Sequence, residues 1–277
     1  MKTVTLPSGE AVPALGMGTW RMGEDRALGA QEISTLQLGL DLGCRLIDTA
    51  EMYGEGLAEE LVGQALQGRR DKAFIVSKVY PHNASAAGVA AACERSLRRL
   101  KTDHIDLYLL HWRGSVPLAQ TLAGLAALQQ AGKIRHYGVS NLDLADMQEL
   151  WSLPGGPGVQ TNQLLYNLSR RGIEWDLLPW MRERGMPVMA YSPIEQAQLL
   201  RHRGLAAFAQ RHGMTASQAA LAWLLAQRDV IAIPKTADPE RMRENIAAAD
   251  IVLDAAQQAE LDALFPPPAA ATPLEMI

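Results

Sequence analysis

Short apolar runs recur along the chain, each followed by a longer stretch in which apolar positions return every three or four residues. The runs read as strands: Leu15 to Gly18, Arg45 to Asp48, Ala73 to Val79, Ile105 to His111, Ile134 to Val139, Val159 to Asn162, Val188 to Tyr191 and Val230 to Ile233. Between them Ile33, Leu36 and Leu40 share one helix face, as do Val89, Cys93, Leu97 and Leu100, and then Leu144, Met147, Leu150 and Trp151. Ahead of the first run, Pro7-Ser8-Gly9-Glu10 reads as the turn of a hairpin. A last helix over Ala255 to Leu264 gives way to Pro266-Pro267-Pro268 and a tail of small residues, which is expected to be mobile.

Near-continuous apolar strands alternating with helices indicate a parallel sheet buried on both faces. Eight such repeats in 277 residues favour closure into a (β/α)8 TIM barrel, with an N-terminal β-hairpin and a C-terminal extra helix and short tail, as one domain over residues 1–277. The rival is an open doubly wound sheet. A dinucleotide-binding sheet of that kind carries Gly-x-Gly-x-x-Gly after its first strand, whereas Gly16-Met17-Gly18 is followed by Thr19-Trp20-Arg21 and the third glycine is missing.

The net charge of −4 and the lack of a basic run argue against nucleic acid as a partner. No apolar window approaches the roughly 20 residues of a membrane span, and no signal-peptide pattern opens the chain, so a cytoplasmic location is expected. Cys44 and Cys93 belong to no Cys/His cluster and sit in apolar patterns, where they read as reduced core residues, with no metal site.

In a parallel barrel the C-terminal ends of all strands face one rim, which is where such enzymes carry their sites. Asp48, Lys78 and His111 fall at or near the ends of three consecutive strands, and Tyr53 lies five residues past Asp48 on the loop leaving the same strand. Singly, each has an ordinary structural explanation. Four polar residues on one rim are better explained by function, because a buried ion pair is poorly rewarded as a stability device. The chemistry that suits them is carbonyl reduction: hydride arriving at a carbonyl carbon leaves charge on oxygen, which needs a proton and hydrogen-bond donors. Tyr53 is the natural acid. Its phenol, with a free pKa of about 10, should be lowered by an adjacent Lys78 ammonium. Asp48 would hold Lys78 charged, and a neutral His111 would orient the substrate oxygen.

At these residues the sequence resembles the aldo-keto reductases, over nearly its whole length. Leu46-Ile47-Asp48-Thr49-Ala50-Glu51-Met52-Tyr53-Gly54, Ser77-Lys78 and Leu109-Leu110-His111-Trp112 match the family's catalytic tetrad residue by residue. The resemblance implies NADPH (NADP+) as cofactor. It places Ser140, Asn141 and Gln163 at the nicotinamide carboxamide, with Tyr191 stacked on the ring and Ser192 beside it. Gly18, Thr19, Trp20 and Asp48 flank the cofactor from the first two strands. Ile233-Pro234-Lys235-Thr236 and Arg241 surround the adenosine 2′-phosphate, and Glu244-Asn245 address the adenine. The segment from Pro193 to Arg203 lies where the family folds a loop over the pyrophosphate, and it is expected to be mobile without cofactor. Histidine rather than glutamate at position 111 points to carbonyls instead of steroid double bonds.

Details such as Glu51-Met52-Tyr53 and Ser77-Lys78-Val79-Tyr80-Pro81 look most like a bacterial subgroup that includes methylglyoxal reductases. The implied substrates are small aldehydes and ketones, handled by a monomer. Short loops predict a wide mouth lined by Trp20, Tyr53, Tyr80, His111 and Trp112. Two other function classes compete: a cofactor-binding, redox-sensing regulatory subunit with slow turnover, like the barrels that partner potassium channels, and a cofactor-free barrel hydrolase or isomerase. The second leaves Lys235, Thr236 and Arg241 unexplained.

Overall fold

A computed structural model describes residues 2–277. Strands β1 (Thr3–Thr5) and β2 (Ala11–Pro13) pair antiparallel, and Leu6 and Glu10 close the hairpin around Gly9. Eight strands then form one parallel sheet in sequence order: β3 (Gly16–Gly18), β4 (Leu46–Asp48), β5 (Phe74–Val79), β6 (Ile105–Leu110), β7 (Ile134–Ser140), β8 (Asn162–Leu165), β9 (Val188–Tyr191) and β10 (Val230–Ala232). The sheet curls until its two edges meet. Ala232 N donates to Ala14 O at 2.8 Å and Gly18 N to Pro234 O at 2.9 Å, closing the barrel. The seam needs glycine, because a Cβ on Gly18 would lie 3.0 Å from Ile233 O.

Helices α1 (Gly29–Asp41), α2 (Leu57–Ala65), α3 (Ala86–Leu100), α4 (Leu118–Gln130), α5 (Leu144–Ser152) and α6 (Leu177–Glu183) follow β3 to β8 in turn. Two helices, α7 (Arg203–Arg211) and α8 (Ala216–Ala226), share the connection from β9 to β10, and α9 (Pro239–Ala247) precedes the extra helix α10 (Ala255–Leu264). The outer layer adheres as the periodicity predicts. In α3, Ser85 caps the first turn by accepting from Gly88 N at 3.1 Å, and Val89, Cys93, Leu97 and Leu100 are buried against the sheet. Each of its three aliphatic anchors contributes about 1.5–3 kcal/mol by leaving water. No helix among the described residues is long and apolar enough to cross a membrane.

Seven of the eight predicted strands overlap the observed ones closely, and Val188 to Tyr191 coincides. The sixth is displaced: instead of ending at Asn162, the strand begins there and runs to Leu165. Polar Asn162 and Gln163 look like a strand end, yet both are buried, and Asn162 Nδ2 donates to Leu142 O at 2.8 Å so that the chain can continue inward. The tail carries a few ties to the barrel. Arg171 Nη1 holds Phe265 O at 2.6 Å, Leu274 packs on the core, and Arg170 pairs with Glu275.

Candidate active site

Strands β4, β5 and β6 deliver Asp48, Lys78 and His111 to the C-terminal rim, and a 3-10 turn, Tyr53–Gly56, brings Tyr53 back over them. Lys78 is wholly buried inside the barrel. Its Nζ donates to Asp48 Oδ2 at 2.9 Å, to Thr49 O at 2.8 Å and to Tyr53 Oη at 3.2 Å, which uses all three ammonium hydrogens. The His111 ring stands edge-on to Tyr53, 5.8 Å between centroids. The four residues singled out from the sequence therefore converge on one point.

Burial pushes the Tyr53 phenol up, and the Lys78 ammonium pulls it back only in part, with the Asp48 charge opposing. The net direction is upward, not the lowering the residue pattern predicts, because desolvation outweighs the ion beside it. Tyr53 as a whole is half-buried. Burial depresses Lys78, but the charges and hydrogen bonds of Asp48 and Tyr53 together more than offset it, and Lys78 stays an ammonium.

His111 is pushed down to about 2 by burial, with Lys78 adding to the effect, so its imidazole is neutral. Its Nδ1 is buried with no hydrogen-bond partner among the described residues, an orphan that costs less as a bare acceptor than as an N–H, which favours the proton on Nε2.

This shift has a consequence for folding. Between that depressed value and the ordinary histidine pKa of about 6.5, the unfolded chain binds one more proton than the native one, so stability rises with pH across the window. The slope is about 1.4 kcal/mol per pH unit for a single group, and the contribution is complete above the unfolded pKa. Urea titrations at acid and neutral pH should show a loss toward acid that is smaller in His111→Gln. Equal losses in the two proteins would contradict the assignment.

Around this centre, Gln163 Nε2 donates to Asp48 Oδ1 at 2.8 Å, fixing the second carboxylate oxygen. Ser140 Oγ donates to Gln163 O, and Asn141, in the left-handed region at φ 58°, accepts from Tyr191 Oη at 3.0 Å. Ser192 follows in the same strained conformation at φ 48°. Thr19 directs both its N–H and its hydroxyl to Asp48 O. Residues expected at the nicotinamide end are thus in contact with the tetrad.

The second cluster lies across the seam. Ile233 and Pro234 are buried in the β10 exit, and Thr236 Oγ1 accepts from Asp238 N at 3.1 Å. Asp238 in turn caps α9 by accepting from Glu240 N and Arg241 N. Lys235 has no carboxylate within ion-pair distance among the described residues, and exposed Arg241 approaches only Asp238, at 4.0 Å. Two cations left this free beside a helix N-terminus fit a multiply charged oxyanion. Glu244 and buried Asn245 reach the start of α8, through Thr215 and Ser217.

At the mouth, Tyr80 and Trp112 meet edge-on at 5.8 Å, and Trp112 lies 4.8 Å from the His111 ring. Trp20 stands apart, 36% exposed, with the Arg21 guanidinium 4.4 Å over its ring.

Glu51 and Thr49 carry no functional signal of their own in the sequence beyond sitting inside the Asp48 to Tyr53 stretch. Thr49 contributes a backbone oxygen, which no side-chain pattern reveals. Glu51 is a buried carboxylate that binds the chain leaving β5.

Residues 14–265 match the model of the Aldo/keto reductase family. The chain belongs to that family. Methylglyoxal reductase YeaE of Escherichia coli is 49% identical, the alignment covering 100% of this chain and 99% of that protein. Glyoxal reductase of Bacillus subtilis is 32% identical, over 95% and 92%. Among solved structures, an aldo/keto reductase from Klebsiella pneumoniae in complex with NADP and acetate superposes with a TM-score of 0.97 at 50% identity, covering 100% of this chain and 99% of that one.

Proposed function

We propose that the protein is an NADPH-dependent reductase of small aldehydes and ketones, with 2-oxoaldehydes such as methylglyoxal and aromatic aldehydes among its substrates. The observation that carries this reading is the contact of Lys78 Nζ with both Tyr53 Oη, at 3.2 Å, and Asp48, at 2.9 Å, beside a neutral His111. It is the arrangement needed to hand one proton to a developing alkoxide. The names of the YeaE and Bacillus relatives support the 2-oxoaldehyde class, and the NADP bound by the Klebsiella neighbour supports the cofactor.

When bound, NADPH supplies the hydride. Lys235, Thr236 and Arg241 would hold its 2′-phosphate, Ile233 and Pro234 the wall beside it, and Glu244 and Asn245 the adenine. Ser140, Asn141, Gln163, Tyr191 and Ser192 would hold the nicotinamide end, with Gly18, Thr19 and Trp20 facing them. His111 Nε2–H orients the substrate oxygen, and Tyr53 Oη donates its proton to that oxygen. The Lys78 ammonium stabilises the resulting phenolate, and Asp48 keeps the ammonium charged and in place. Tyr80 and Trp112 exclude water from one side of the carbonyl. Two buried reduced thiols suit a reducing cytoplasm, and the chemistry of the site needs only one copy of the chain acting on a free small molecule.

Consumption of NADPH with methylglyoxal, 4-nitrobenzaldehyde and a simple ketone tests the proposal. Turnover in the ordinary range of about 1–10³ per second is expected, with NADPH strongly favoured over NADH. Tight NADPH binding with no turnover of any carbonyl would favour the redox-sensing regulatory subunit instead, and no NADPH binding would defeat both readings.

A further inference from the structure

Glu51 lies between Asp48 and Tyr53, is only 5% exposed, and takes part in none of the steps above. Its carboxylate is nonetheless fully engaged. Oε1 accepts from Tyr80 N at 2.9 Å and from Asn83 Nδ2 at 3.0 Å, and Oε2 accepts from Arg95 Nη2 at 3.0 Å. Its own N–H donates to Lys78 O at 3.3 Å. Every one of these partners belongs to the chain that leaves β5: Lys78 near the strand end, Tyr80 and Asn83 in the turn that follows, and Arg95 on α3. Glu51 therefore stitches the segment carrying Tyr53 to the segment carrying Lys78, through both backbone and side chain.

The contact beneath that stitch is the one most exposed to slippage. Lys78 Nζ sits 3.2 Å from Tyr53 Oη, longer than its 2.9 Å bond to Asp48 or its 2.8 Å bond to Thr49 O. Among the described residues no other side-chain hydrogen bond reaches the Tyr53 hydroxyl, so its place depends on where its backbone is held. Asp48 and Thr49 are tied to Lys78 directly. Tyr53, four residues further along, is tied by Glu51.

We infer that Glu51 is a positioning residue that sets the Tyr53 to Lys78 distance, and hence the ease with which the phenol gives up its proton. This rests on the roles proposed for Tyr53 and Lys78. Glu51 touches neither carbonyl nor cofactor and acts through the backbone it holds. Without it the turn can drift outward, the ammonium supports the phenolate less well, and proton transfer slows while cofactor binding, made elsewhere, stays as it is.

The test compares Glu51→Ala, Glu51→Gln and Tyr53→Phe with the parent, each checked for folding by circular dichroism. It follows kcat for methylglyoxal reduction, the pH profile of the reverse alcohol oxidation with NADP+, and NADPH affinity by fluorescence. In oxidation the phenolate is the base, so the rising limb of that profile reports on Tyr53. Glu51→Ala should lose roughly ten- to a hundredfold in kcat, the scale of a misplacement of about 1 Å, and its limb should move to higher pH by about one unit, with NADPH affinity unchanged. Glu51→Gln keeps an oxygen for Tyr80 N and Asn83 and should restore most of the rate.

Parental kcat and limb in a folded Glu51→Ala, or a fall in kcat with the limb unmoved, would overturn the inference. Should the alanine variant not fold, Glu51→Asp, one methylene too short to span the three donors, is read by the same two criteria. Tyr53→Phe separates the levels. If it keeps turnover, the reading of the site fails. If it loses turnover while Glu51→Ala does not, only the role of Glu51 fails.

Discussion

Lys78→Met is expected to lower the stability of the protein by about 3–5 kcal/mol, the usual result of removing one partner from a buried ion pair. Asp48 is 2% exposed, and without the ammonium its carboxylate keeps, among the described residues, only Gln163 Nε2, at 2.8 Å, as a side-chain donor. Thr49 O loses its 2.8 Å bond to the same ammonium. Methionine fills the space yet can do nothing for the stranded charge. For a chain of this length the loss corresponds to a fall in Tm of roughly 10 °C. Thermal and urea unfolding measure it, and the double variant Lys78→Met/Asp48→Asn should recover a large part, because it removes the orphaned charge as well. An unfolding midpoint equal to the parent's would mean that the pair is not buried as described. Reductase turnover should fall in both variants, since the Tyr53 hydroxyl loses the one side chain bonded to it.

Tyr53→Phe should leave fold and cofactor affinity intact while lowering kcat by about 10²–10⁴-fold, the range expected for a positioned general acid. The substitution deletes one oxygen. The ring remains available for its edge contact with His111 at 5.8 Å and for the Lys78 ammonium 4.7 Å from its centroid. The change therefore separates proton donation from packing more cleanly than any other at this site. The burial that pushes the phenol upward keeps it protonated at neutral pH, as a donor must be, and the ammonium limits how far it rises. Steady-state rates with methylglyoxal decide the matter: kcat within tenfold of the parent's would remove Tyr53 from the mechanism.

Much of the site is legible before any coordinates because a parallel barrel converts sequence position into spatial position. A polar residue at the end of an apolar strand must emerge on the common rim, so Asp48, Lys78 and His111 could be placed together from three separate runs. Lys235 and Arg241 were singled out by the family resemblance of the Ile233-Pro234-Lys235-Thr236 stretch rather than by strand position. What escaped is of a different kind. The β8 boundary was misplaced because buried Asn162 and Gln163 look like a strand end when their partners, Leu142 and Asp48, are unknown. The docking of the tail depends on Arg170 and Arg171, which lie about a hundred residues before their partners Glu275, Asp262 and Phe265. No local pattern encodes such a pairing.

Strand and helix periodicity and eight repeats were enough to indicate the barrel and to bring Asp48, Lys78 and His111 to one rim, because hydrophobic spacing is a local property of the chain. Three features belong to the tertiary structure alone: the net upward shift of Tyr53, the ties of Arg170 and Arg171 to the C-terminal segment, and the engagement of Glu51 with the exit of β5. The first is a balance between desolvation and a charge 3.2 Å away, and its sign depends on how deeply the phenol is enclosed. The other two depend on side chains meeting across connections of unrelated length. Distance and burial are sums over neighbours that the order of residues does not name.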